Sequence, residues 1–550
     1  MQIIECVPNF SEGNDLNIIN QITGEIERVE GVRLLSVDPG KATNRTVVTF
    51  VGAPAAVVEA AFRAIKKAGE LIDMSGHSGA HPRMGATDVC PLIPVANISM
   101  EETAVWAQAL ARRVGQELLL PVYLYEAAQP KKERSNLSII RAGEYEGFFQ
   151  KIKLSEWKPD FGPAEFDAKR GATVIGARDF LVAYNVNLNT TSTRRANAIA
   201  FDIREAGRKV RNENGEEVVK PGTLKCVKAI GWYIEEYGIA QISINLTNIN
   251  VTPVHIAFDE VCKKADARGI RVTGSELVGL IPLKAMLDAG KYFLRKQKCS
   301  VGVSEKELVR IAVKSMGLDE LSPFRPEEKI IEYMLMNKVE NELISMSLSD
   351  FADKTASESP APGGGSVAAY AGALGISLGT MVANLSSHKK GWDDRWEEFS
   401  KWAEQGQKFK SELLRLVDAD TSAFNQIMTA FALPKSTEEE KVIRQKTIQE
   451  ATRVAIEVPF SVMKTAHAAM QVIRAMAETG NPNSISDAGV GALCARAAVS
   501  GAFLNVRINA SNYADPNFVS AIISEGNELE TQAIAMEREI LQIVDAKIGI

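Results

Sequence analysis

The sequence predicts a multidomain protein in which two tandem α/β subdomains are followed by an all-α helical domain. Residues 2–95 and 180–272 each carry strand and helix patterns in the order β-α-β-β-α-β, which is the ferredoxin-like order. After Gly317 the pattern changes, and from about Leu343 onward the apolar residues form long helical repeats inside which proline nearly disappears. A chain of 550 residues also exceeds what one hydrophobic core usually holds.

The individual elements follow from the spacing of apolar residues. In the first subdomain we predict strands at 2–7, 32–37, 45–51 and 89–95 and helices at 16–29 and 54–73. Pro54 suits the first turn of its helix. In the second we predict strands at 180–188, 226–234, 239–246 and 270–272 and helices at 194–208 and 253–268. The predicted domain limits are 1–179, 180–324, a linker at 325–342, and 343–550.

The C-terminal domain is predicted to contain helices at 366–386, 394–431, 437–479, 485–512 and 516–544. Residues 365–388 form an uncharged run long enough to suggest a membrane span. The run is rich in alanine, glycine and serine, which let helices approach closely. We therefore expect a central helix of a bundle and no membrane span.

The net charge, the cysteines and the N-terminal sequence indicate which partners and which cellular compartment to expect. The net charge of -6 and the pI near 5.7 argue against nucleic acid as a main partner. The six cysteines are scattered without a C-x-x-C pair, so we expect reduced thiols and no metal site. The N-terminal sequence lacks the pattern of a signal peptide, and we expect a cytoplasmic protein.

The loop within LIDMSGHSGAHPRMGATDVCPLIPV (71–95) is the first candidate site. It presents His77, His81 and Arg83, and the whole chain has only five histidines. Histidine exchanges protons near neutral pH and is the commonest general base. The alternative is a polar turn between a helix and a strand.

A second candidate is SPAPGGGS (359–366), which leads directly into a helix. Backbone N–H groups of Gly363, Gly364 and Gly365 and the positive helix N-terminus favour a carboxylate or carbonyl ligand. The spacing is not that of a nucleotide-binding P-loop. The alternative is a flexible domain entry in which Ser366 caps the helix.

A third candidate lies in SELLRLVDADTSAFNQIM (411–428). Helical spacing places Asp420 on the apolar stripe and turns Asp418 outward toward solvent. Burial would raise the pKa of Asp420 and suit it to proton transfer. A buried aspartate bonded to a neighbouring helix is the alternative. Asn505 and Asn509 share one helix face and either line a polar cavity or bridge helices.

The chain resembles the formimidoyltransferase-cyclodeaminase family essentially from end to end. The motifs that carry the resemblance include ECVPNFSEG (5–13), TNRTVVTFVG (43–52), HPRMGATDVCPLIPV (81–95), RAGEYEG (141–147), PDFGP (159–163), APGGGSVAA (361–369) and LVDAD (416–420). The resemblance implies transfer of a formimidoyl group from N-formimidoyl-L-glutamate to tetrahydrofolate. It also implies cyclisation of the product to 5,10-methenyltetrahydrofolate with release of ammonia, as part of histidine degradation.

The resemblance also assigns residues. It implies His81 as the transferase catalyst, with Ala80 where the family often has an acid, and Asp420 as the cyclodeaminase acid/base. The helical periodicity selected Asp420 independently. The implied folate-binding stretch is Gly162, Pro163, Ala164, Glu165, Phe166, Asp167, Ala168, Lys169, Arg170 and Gly171.

The remaining expectations concern residues that would support catalysis, the co-substrate and the oligomeric state. Asp38, in the turn between two strands, would orient the imidazole, and Arg45 or Arg83 would hold a substrate carboxylate. Gly363 to Ser366, Asn505 and Asn509 would form the folate site of the helical domain. Tetrahydrofolate, with or without a polyglutamate tail, is the expected co-substrate, and we expect a homo-oligomer and no metal.

Two other functions remain open from the sequence. The helical domain also resembles single-domain methenyltetrahydrofolate cyclohydrolases, so it would instead hydrolyse the methenyl ring. A scaffold with decayed sites is a third possibility, which the retained His81, Asp420 and Gly363 to Gly365 oppose.

Overall fold

The computed structural model describes residues 2–41, 43–79, 83–212, 215–335, 342–511 and 513–549. A mixed-sheet N-terminal region is followed by a mostly helical C-terminal region, which confirms the coarse fold prediction. Contacts divide the chain into two compact units, residues 1–285 with 316–335 and residues 286–315 with 336–550.

The first sheet is built around two short consecutive strands. Its strands are β1 (Ile3–Cys6), β2 (Asn9–Phe10), β3 (Val32–Gly40), β4 (Arg45–Gly52), β5 (Thr87–Ala96), β6 (Val122–Glu126) and β7 (Thr173–Ala177). β1 and β2 lie between β4 and β5 and are antiparallel to both, and β3 pairs with the outer side of β4. β5 continues the sheet through parallel pairing with β7, which is parallel to β6.

The helices of this region are α1 (Leu16–Glu27), α2 (Pro54–Leu71), α3 (Met100–Glu117), α4 (Leu137–Ile140) and α5 (Glu144–Lys151). α1, α2 and α3 bury their apolar faces in one core with the first sheet, including Ile22, Ile65 and Leu110. Pro54 opens α2 as expected. The loops that precede β2, β4 and β5 are therefore anchored at elements that share this buried core.

The second sheet consists of four antiparallel strands in the order β11, β12, β8, β13. Its elements are β8 (Val182–Leu188), α6 (Thr193–Ile203), β11 (Val227–Ile234), β12 (Ile239–Leu246), α7 (Val254–Asp266) and β13 (Val272–Val278). A separate hairpin of β9 (Arg208–Arg211) and β10 (Glu217–Lys220) was not predicted. The predicted helix 194–208 ends early at Ile203, where Arg204 takes an extended conformation, and Gly207 with its left-handed φ of 57° directly precedes the hairpin.

The remaining helices are α8 (Leu283–Lys296), α9 (Glu305–Met316), α10 (Pro326–Lys329), α11 (Ile331–Leu335), α12 (Leu348–Thr355), α13 (Gly364–Ser387), α14 (Trp396–Phe431), α15 (Glu438–Thr479), α16 (Ile485–Ala510) and α17 (Pro516–Ile548). α13 packs against α14, α15 and α16. A Cβ at Gly375 of α13 would lie 2.8 Å from the carbonyl oxygen of Gly491 in α16, so small residues permit this close crossing.

Among the described residues, two helices are long and apolar enough to cross a membrane by length and composition alone. They are 364–387 and 482–510, and in their most apolar windows 61% and 50% of the residues are buried inside the protein. The prediction that 365–388 forms a central helix is confirmed. The absence of a membrane span stays a prediction.

Candidate active sites

Residues that flank the histidine loop are hydrogen-bonded to the end of the predicted folate stretch. The backbone N–H of Met74 donates to the carbonyl of Lys169 at 2.8 Å, and that of Ala86 donates to Arg170 at 2.8 Å. The N–H of Ala172 donates to Met84 at 3.1 Å. Residues on both sides of the loop are therefore joined to residues 169–172, which lie far away in the sequence.

Glycine is needed where these backbones meet. A Cβ at Gly85 would lie 2.3 Å from the carbonyl oxygen of Ala172, and one at Gly79 would lie 2.3 Å from that of Thr43. Any side chain at either position would force the neighbouring strand or turn away. Gly79 and Gly85 thus reflect close packing of backbones, whereas a Cβ at Gly76 would have no neighbour within 4 Å.

Asn44 connects three loops and was missed as a site residue. Its Oδ1 accepts from the N–H of Gly13 at 3.0 Å and from Asn14 Nδ2 at 2.8 Å, while its Nδ2 donates to the carbonyl of Ser78 at 3.0 Å. Its φ of 47° is left-handed, which asparagine tolerates better than most residues. An asparagine at a tight turn before a strand was the available signal.

His77 is held by both ring nitrogens. Its Nε2 donates to the carbonyl of Asn44 at 3.0 Å, and its Nδ1 accepts from Arg83 Nε at 3.3 Å. His77 therefore orients the loop rather than presenting a free nitrogen to a ligand. His81, predicted as the transferase catalyst, lies with Ala80 and Pro82 outside the described residues.

The guanidinium of Arg83 is buried and already bound by two carboxylates of α5. Its Nη1 lies 3.0 Å from Glu144 Oε2 and its Nη2 lies 2.5 Å from Glu146 Oε1. The hydrogen bonds that Arg83 donates to Glu146 raise the pKa of Arg83 above its usual value. A substrate carboxylate would have to displace Glu144 or Glu146 to reach this arginine.

The prediction that Asp38 lies in a turn is wrong. Asp38 is an exposed residue of β3 opposite Val47, because the hairpin pairing continues to Gly40 and Arg45. Burial lowers the pKa of Arg45, and the negative charges of Asp88 and Asp38 oppose that shift. Asp38 and Arg45 therefore share one electrostatic environment beside the histidine loop.

The buried ion pair of Asp88 and Arg141 stabilises the end of the histidine loop where it enters β5. Asp88 of β5 is fully buried, and Arg141 donates to its two oxygens from Nε at 3.3 Å and from Nη2 at 2.5 Å. Asp88 Oδ1 also accepts from the N–H of Met84 at 3.0 Å. Burial raises the pKa of Asp88, and the charge of Arg141 opposes the shift. Sequence reasoning missed both residues, although each belongs to a quoted motif.

The stretch 162–171 is ordered by its own side chains. Asp167 accepts from the N–H groups of Lys169 and Arg170, and its Oδ2 binds Arg170 Nε at 2.6 Å. The ring of Phe166 packs on Tyr145 at 5.5 Å and on Phe149 at 5.6 Å, between ring centroids. Gly162, Ala164, Glu165, Ala168 and Lys169 remain exposed.

In the helical unit, the carboxylate of Asp420 occupies the N-terminus of α13. Ser366 Oγ lies 3.0 Å from Asp420 Oδ2, and the backbone N–H of Ser366 also donates to this carboxylate. A Cβ at Gly365 would lie 2.2 Å from Asp420 Oδ1. The anion that the GGGS motif binds here is a side chain of the protein. The alternative in which Ser366 is the helix N-cap is wrong, because Gly363 takes that position.

A cavity of about 170 Å³ opens beside this contact. Its lining residues are Pro360, Ala361, Gly363, Gly364, Gly365, Asp420, Thr421, Phe424, Ile427, Ala455, Asn505 and Asn509. Within the described part of the chain, Asp420 is the only titratable side chain in this lining. Burial raises its pKa, and the hydrogen bonds from Ser366 moderate the rise.

The predicted outward orientation of Asp418 is wrong. Only 9% of its surface is exposed, and its Oδ1 accepts from the N–H of Leu343 at 2.8 Å. α14 packs against both α13 and α15, so a residue opposite Asp420 is not in solvent. Asp418 ties the segment before α12 to the helix that carries Asp420.

Asn509 compensates for a proline in the neighbouring helix. Pro459 lies inside α15 and has no N–H to donate to the carbonyl of Ala455 one turn earlier. Asn509 Nδ2 of α16 donates to that carbonyl at 2.7 Å. Asn505 Nδ2 donates to Gly501 of its own helix and approaches Gly364. Both asparagines line the cavity, and Asn509 also bridges two helices.

Comparisons with known families cover nearly the whole chain. A profile described as "Formiminotransferase domain, N-terminal subdomain" matches residues 3–178, and one described as "Formiminotransferase domain" matches residues 183–336. A profile described as "Formiminotransferase-cyclodeaminase" matches residues 347–528.

Individual relatives agree with these matches. Formimidoyltransferase-cyclodeaminase of Gallus gallus is 45% identical over 94% of this chain and 94% of its own length. Glutamate formimidoyltransferase of Thermoplasma acidophilum is 43% identical over 54% of this chain and 93% of its own length. Methenyltetrahydrofolate cyclohydrolase of Methylorubrum extorquens is 36% identical over 37% of this chain and 98% of its own length.

Proposed function

Because the chain belongs to the formimidoyltransferase-cyclodeaminase family, we propose that the two sites described above divide its two reactions between them. The protein is a bifunctional folate enzyme of histidine degradation. It transfers the formimidoyl group of N-formimidoyl-L-glutamate to tetrahydrofolate. It then cyclises 5-formimidoyltetrahydrofolate to 5,10-methenyltetrahydrofolate and releases ammonia.

The transfer is assigned to the surface around the histidine loop, with His81 as acid and base. N5 of tetrahydrofolate attacks the formimidoyl carbon and loses a proton, while the glutamate nitrogen gains one and leaves. One imidazole between the two nitrogens serves both steps. The hydrogen bonds of Met74, Met84 and Ala86 with residues 169–172 support this assignment, because they hold the end of the proposed folate stretch beside the residues that flank the histidine loop.

The cyclisation is assigned to Asp420. N10 attacks the formimidoyl carbon and gives up its proton, and the departing nitrogen takes a proton as ammonia leaves. The observation that carries this proposal is that Asp420 is the sole titratable group in the described lining of the cavity. Its pKa is raised by burial, which suits a carboxyl group that must both accept and donate. Asn505 would bind a polar edge of the folate.

Asp420→Asn tests the assignment, because it keeps the size of the side chain and removes the titrating proton. With formimidoylglutamate and tetrahydrofolate supplied, glutamate release should continue, 5-formimidoyltetrahydrofolate should accumulate and ammonia should not appear. Wild-type ammonia release by a variant with unchanged circular dichroism would overturn the role of Asp420.

A second reaction is favoured by the similarity of the helical region to the cyclohydrolase of Methylorubrum extorquens. The same aspartate would then activate water against the methenyl carbon and open the ring. Supplied 5,10-methenyltetrahydrofolate distinguishes the two reactions. Rapid enzyme-dependent ring opening without ammonia release from 5-formimidoyltetrahydrofolate would favour hydrolysis over deamination.

The strand pairings support a finer proposal for the architecture. Within each of the first two subdomains, we propose a ferredoxin-like arrangement in which the first strand lies between the third and the fourth. β1 with β2 lies between β4 and β5, and β8 lies between β12 and β13, in antiparallel pairings that support this arrangement. The proposed domain limits remain 1–179, 180–324, 325–342 and 343–550.

The point variants should be tested in the full chain rather than in fragments cut at these limits. The N–H of Val301 donates to Ser400 Oγ at 3.0 Å, and a Cβ at Gly302 would lie 2.2 Å from the Cβ of Ala403. A fragment that ends near residue 324 would expose this packed surface.

We also propose that the protein is a cytoplasmic homo-oligomer that accepts folates with or without a polyglutamate tail. An exposed apolar stripe on α13, formed by Val367, Leu374, Met381 and Leu385, supports self-association. Light scattering should show smaller particles for Leu374→Asp than for the wild type, and unchanged mass would count against this surface. No disulfide bond joins the cysteines in the part of the chain that the structure describes, which suits a reducing compartment.

A further inference from the structure

The hydroxyl group of Ser366 has more acceptors than it has protons. Its Oγ lies 3.0 Å from Asp420 Oδ2, 3.0 Å from the carbonyl oxygen of Val417 and 3.3 Å from Thr421 Oγ1. The side chain is fully buried. Because a serine hydroxyl has one proton to donate, it donates either to Asp420 or to Val417 at one time, while the Thr421 hydroxyl is able to donate to it.

We propose that Ser366 is a positioning residue that serves both protonation states of Asp420 by rotating its hydroxyl proton between Asp420 Oδ2 and the Val417 carbonyl. When Asp420 is a carboxylate, Ser366 donates to it. When Asp420 is protonated, its own O–H donates to Ser366 Oγ, and the serine proton turns to Val417. No proton passes to the serine. The inference rests on the proposed catalytic role of Asp420.

The other contacts of Asp420 cannot adapt in this way. The backbone N–H of Ser366 only donates, so it favours the charged carboxylate, as does the N-terminus of α13. Of the other elements that line the cavity, α15 contributes Ala455 and α16 contributes Asn505 and Asn509, and segment 360–365 contributes no titratable group. The hydroxyl is therefore the hydrogen-bond partner that suits either state.

This adaptation matters because Asp420 must take the proton of N10 and give a proton to the departing nitrogen. An acid/base group works best when neither state is strongly preferred at the working pH. Burial disfavours the carboxylate, and Ser366 offsets that effect without penalising the protonated form. Loss of the hydroxyl should therefore be visible in the pH dependence of cyclisation.

The test is the pH profile of kcat for supplied 5-formimidoyltetrahydrofolate, measured on the full chain. In Ser366→Ala the acid limb should move up by about one pH unit, because the hydrogen bond lost from the charged carboxylate is stronger than the one lost from the neutral carboxyl group. The KM should change little. Ser366→Cys, which is similar in size but a weak donor, should give a smaller shift in the same direction. The control is Ser377→Ala, whose hydroxyl in the same helix only donates to Ala373 at 2.6 Å.

The outcomes separate this inference from the assignment of Asp420. An unchanged acid limb in folded Ser366→Ala, with Asp420→Asn inactive, would overturn the inference alone. Wild-type cyclisation by Asp420→Asn would overturn the catalytic role and the inference with it. If Ser366→Ala does not fold, Ser366→Cys decides: a raised acid limb supports the proposal, and a wild-type profile overturns it.

Discussion

Gly365 leaves the space that Asp420 occupies, since a Cβ at position 365 would lie 2.2 Å from Asp420 Oδ1. The neighbouring glycines are less constrained. A Cβ at Gly364 would lie 3.3 Å from Asn505 Nδ2, and one at Gly363 would have its nearest neighbour, the carbonyl oxygen of Pro360, 4.0 Å away. The three glycines in a row therefore differ in what they accommodate.

Gly365→Ala should lower ammonia release by about 100-fold, because the methyl group displaces the carboxylate from its position. Gly501→Ala in α16, outside the cavity lining, is the control and should retain most of the activity, because its methyl group would lie 3.4 Å from the Cβ of Ala368, an ordinary van der Waals contact. Ammonia release from supplied 5-formimidoyltetrahydrofolate measures both. Equal activity of the two variants would contradict the close packing of Gly365 on Asp420.

His81→Ala should lower formimidoyl transfer by about 10²–10⁴-fold, which is the usual effect of losing a positioned acid/base. Cyclisation of supplied 5-formimidoyltetrahydrofolate should continue. His77→Ala should cost much less, because His77 is bound to Asn44 and Arg83 and only orients the loop. Glutamate release measures the transfer, and equal loss in both variants would count against His81.

Asp418→Ala should destabilise the helical unit without shifting the pH profile of cyclisation. It leaves the buried N–H of Leu343 without its acceptor, at a cost of about 1–3 kcal/mol. A thermal melt monitored by circular dichroism measures the loss. Ser349→Ala, an exposed change nearby, is the control. A shifted pH profile in Asp418→Ala would show that Asp418 takes part in proton transfer.

Arg141→Ala should destabilise the first sheet region by about 3–5 kcal/mol and abolish transfer, because it leaves Asp88 buried without its counter-ion. The exposed pair of Arg63 and Glu59 provides the control, and Arg63→Ala should change stability by less than about 1 kcal/mol. Melting temperature and glutamate release are the measurements. Similar effects of the two substitutions would contradict the supporting role of the buried pair.

Glu5→Gln tests a buried carboxyl group in β1. Burial raises the pKa of Glu5 from 4.5 to about 7, although the charge of Arg178 opposes the rise. The folded state therefore binds a proton between these pH values that the unfolded state does not, and its stability falls by up to about 3 kcal/mol as the pH rises from 4.5 to 7. The melting temperature of Glu5→Gln relative to wild type should rise between pH 5 and pH 8. A constant difference would show that Glu5 titrates normally.

The spacing of apolar residues predicted the elements that depend only on residues near one another in the sequence. Apolar spacing identified the strands at 45–51 and 239–246, observed at Arg45–Gly52 and Ile239–Leu246, and it brought attention to Asp420. It failed for Asp418, because a helix packed on two sides has no solvent face opposite its core. Asn44, Asp88 and Arg141 act through partners distant in sequence, and no spacing rule reveals such hydrogen bonds. The placement of His81 remains a prediction.

The carbonyl of Ala455 gives α15 and α16 a fixed register. Pro459 has no N–H to donate to the carbonyl of Ala455. The hydrogen bond from Asn509 to this carbonyl forms only when α16 has one axial position relative to α15. A slide of one helical turn would move Asn509 about 5.4 Å away and break it. Asn505 sits one turn before Asn509 on the same helix, so the same register sets how far its amide reaches along the cavity wall. Pro459, a residue type that usually disrupts helices, thus helps to fix the position of Asn505 in the cavity wall.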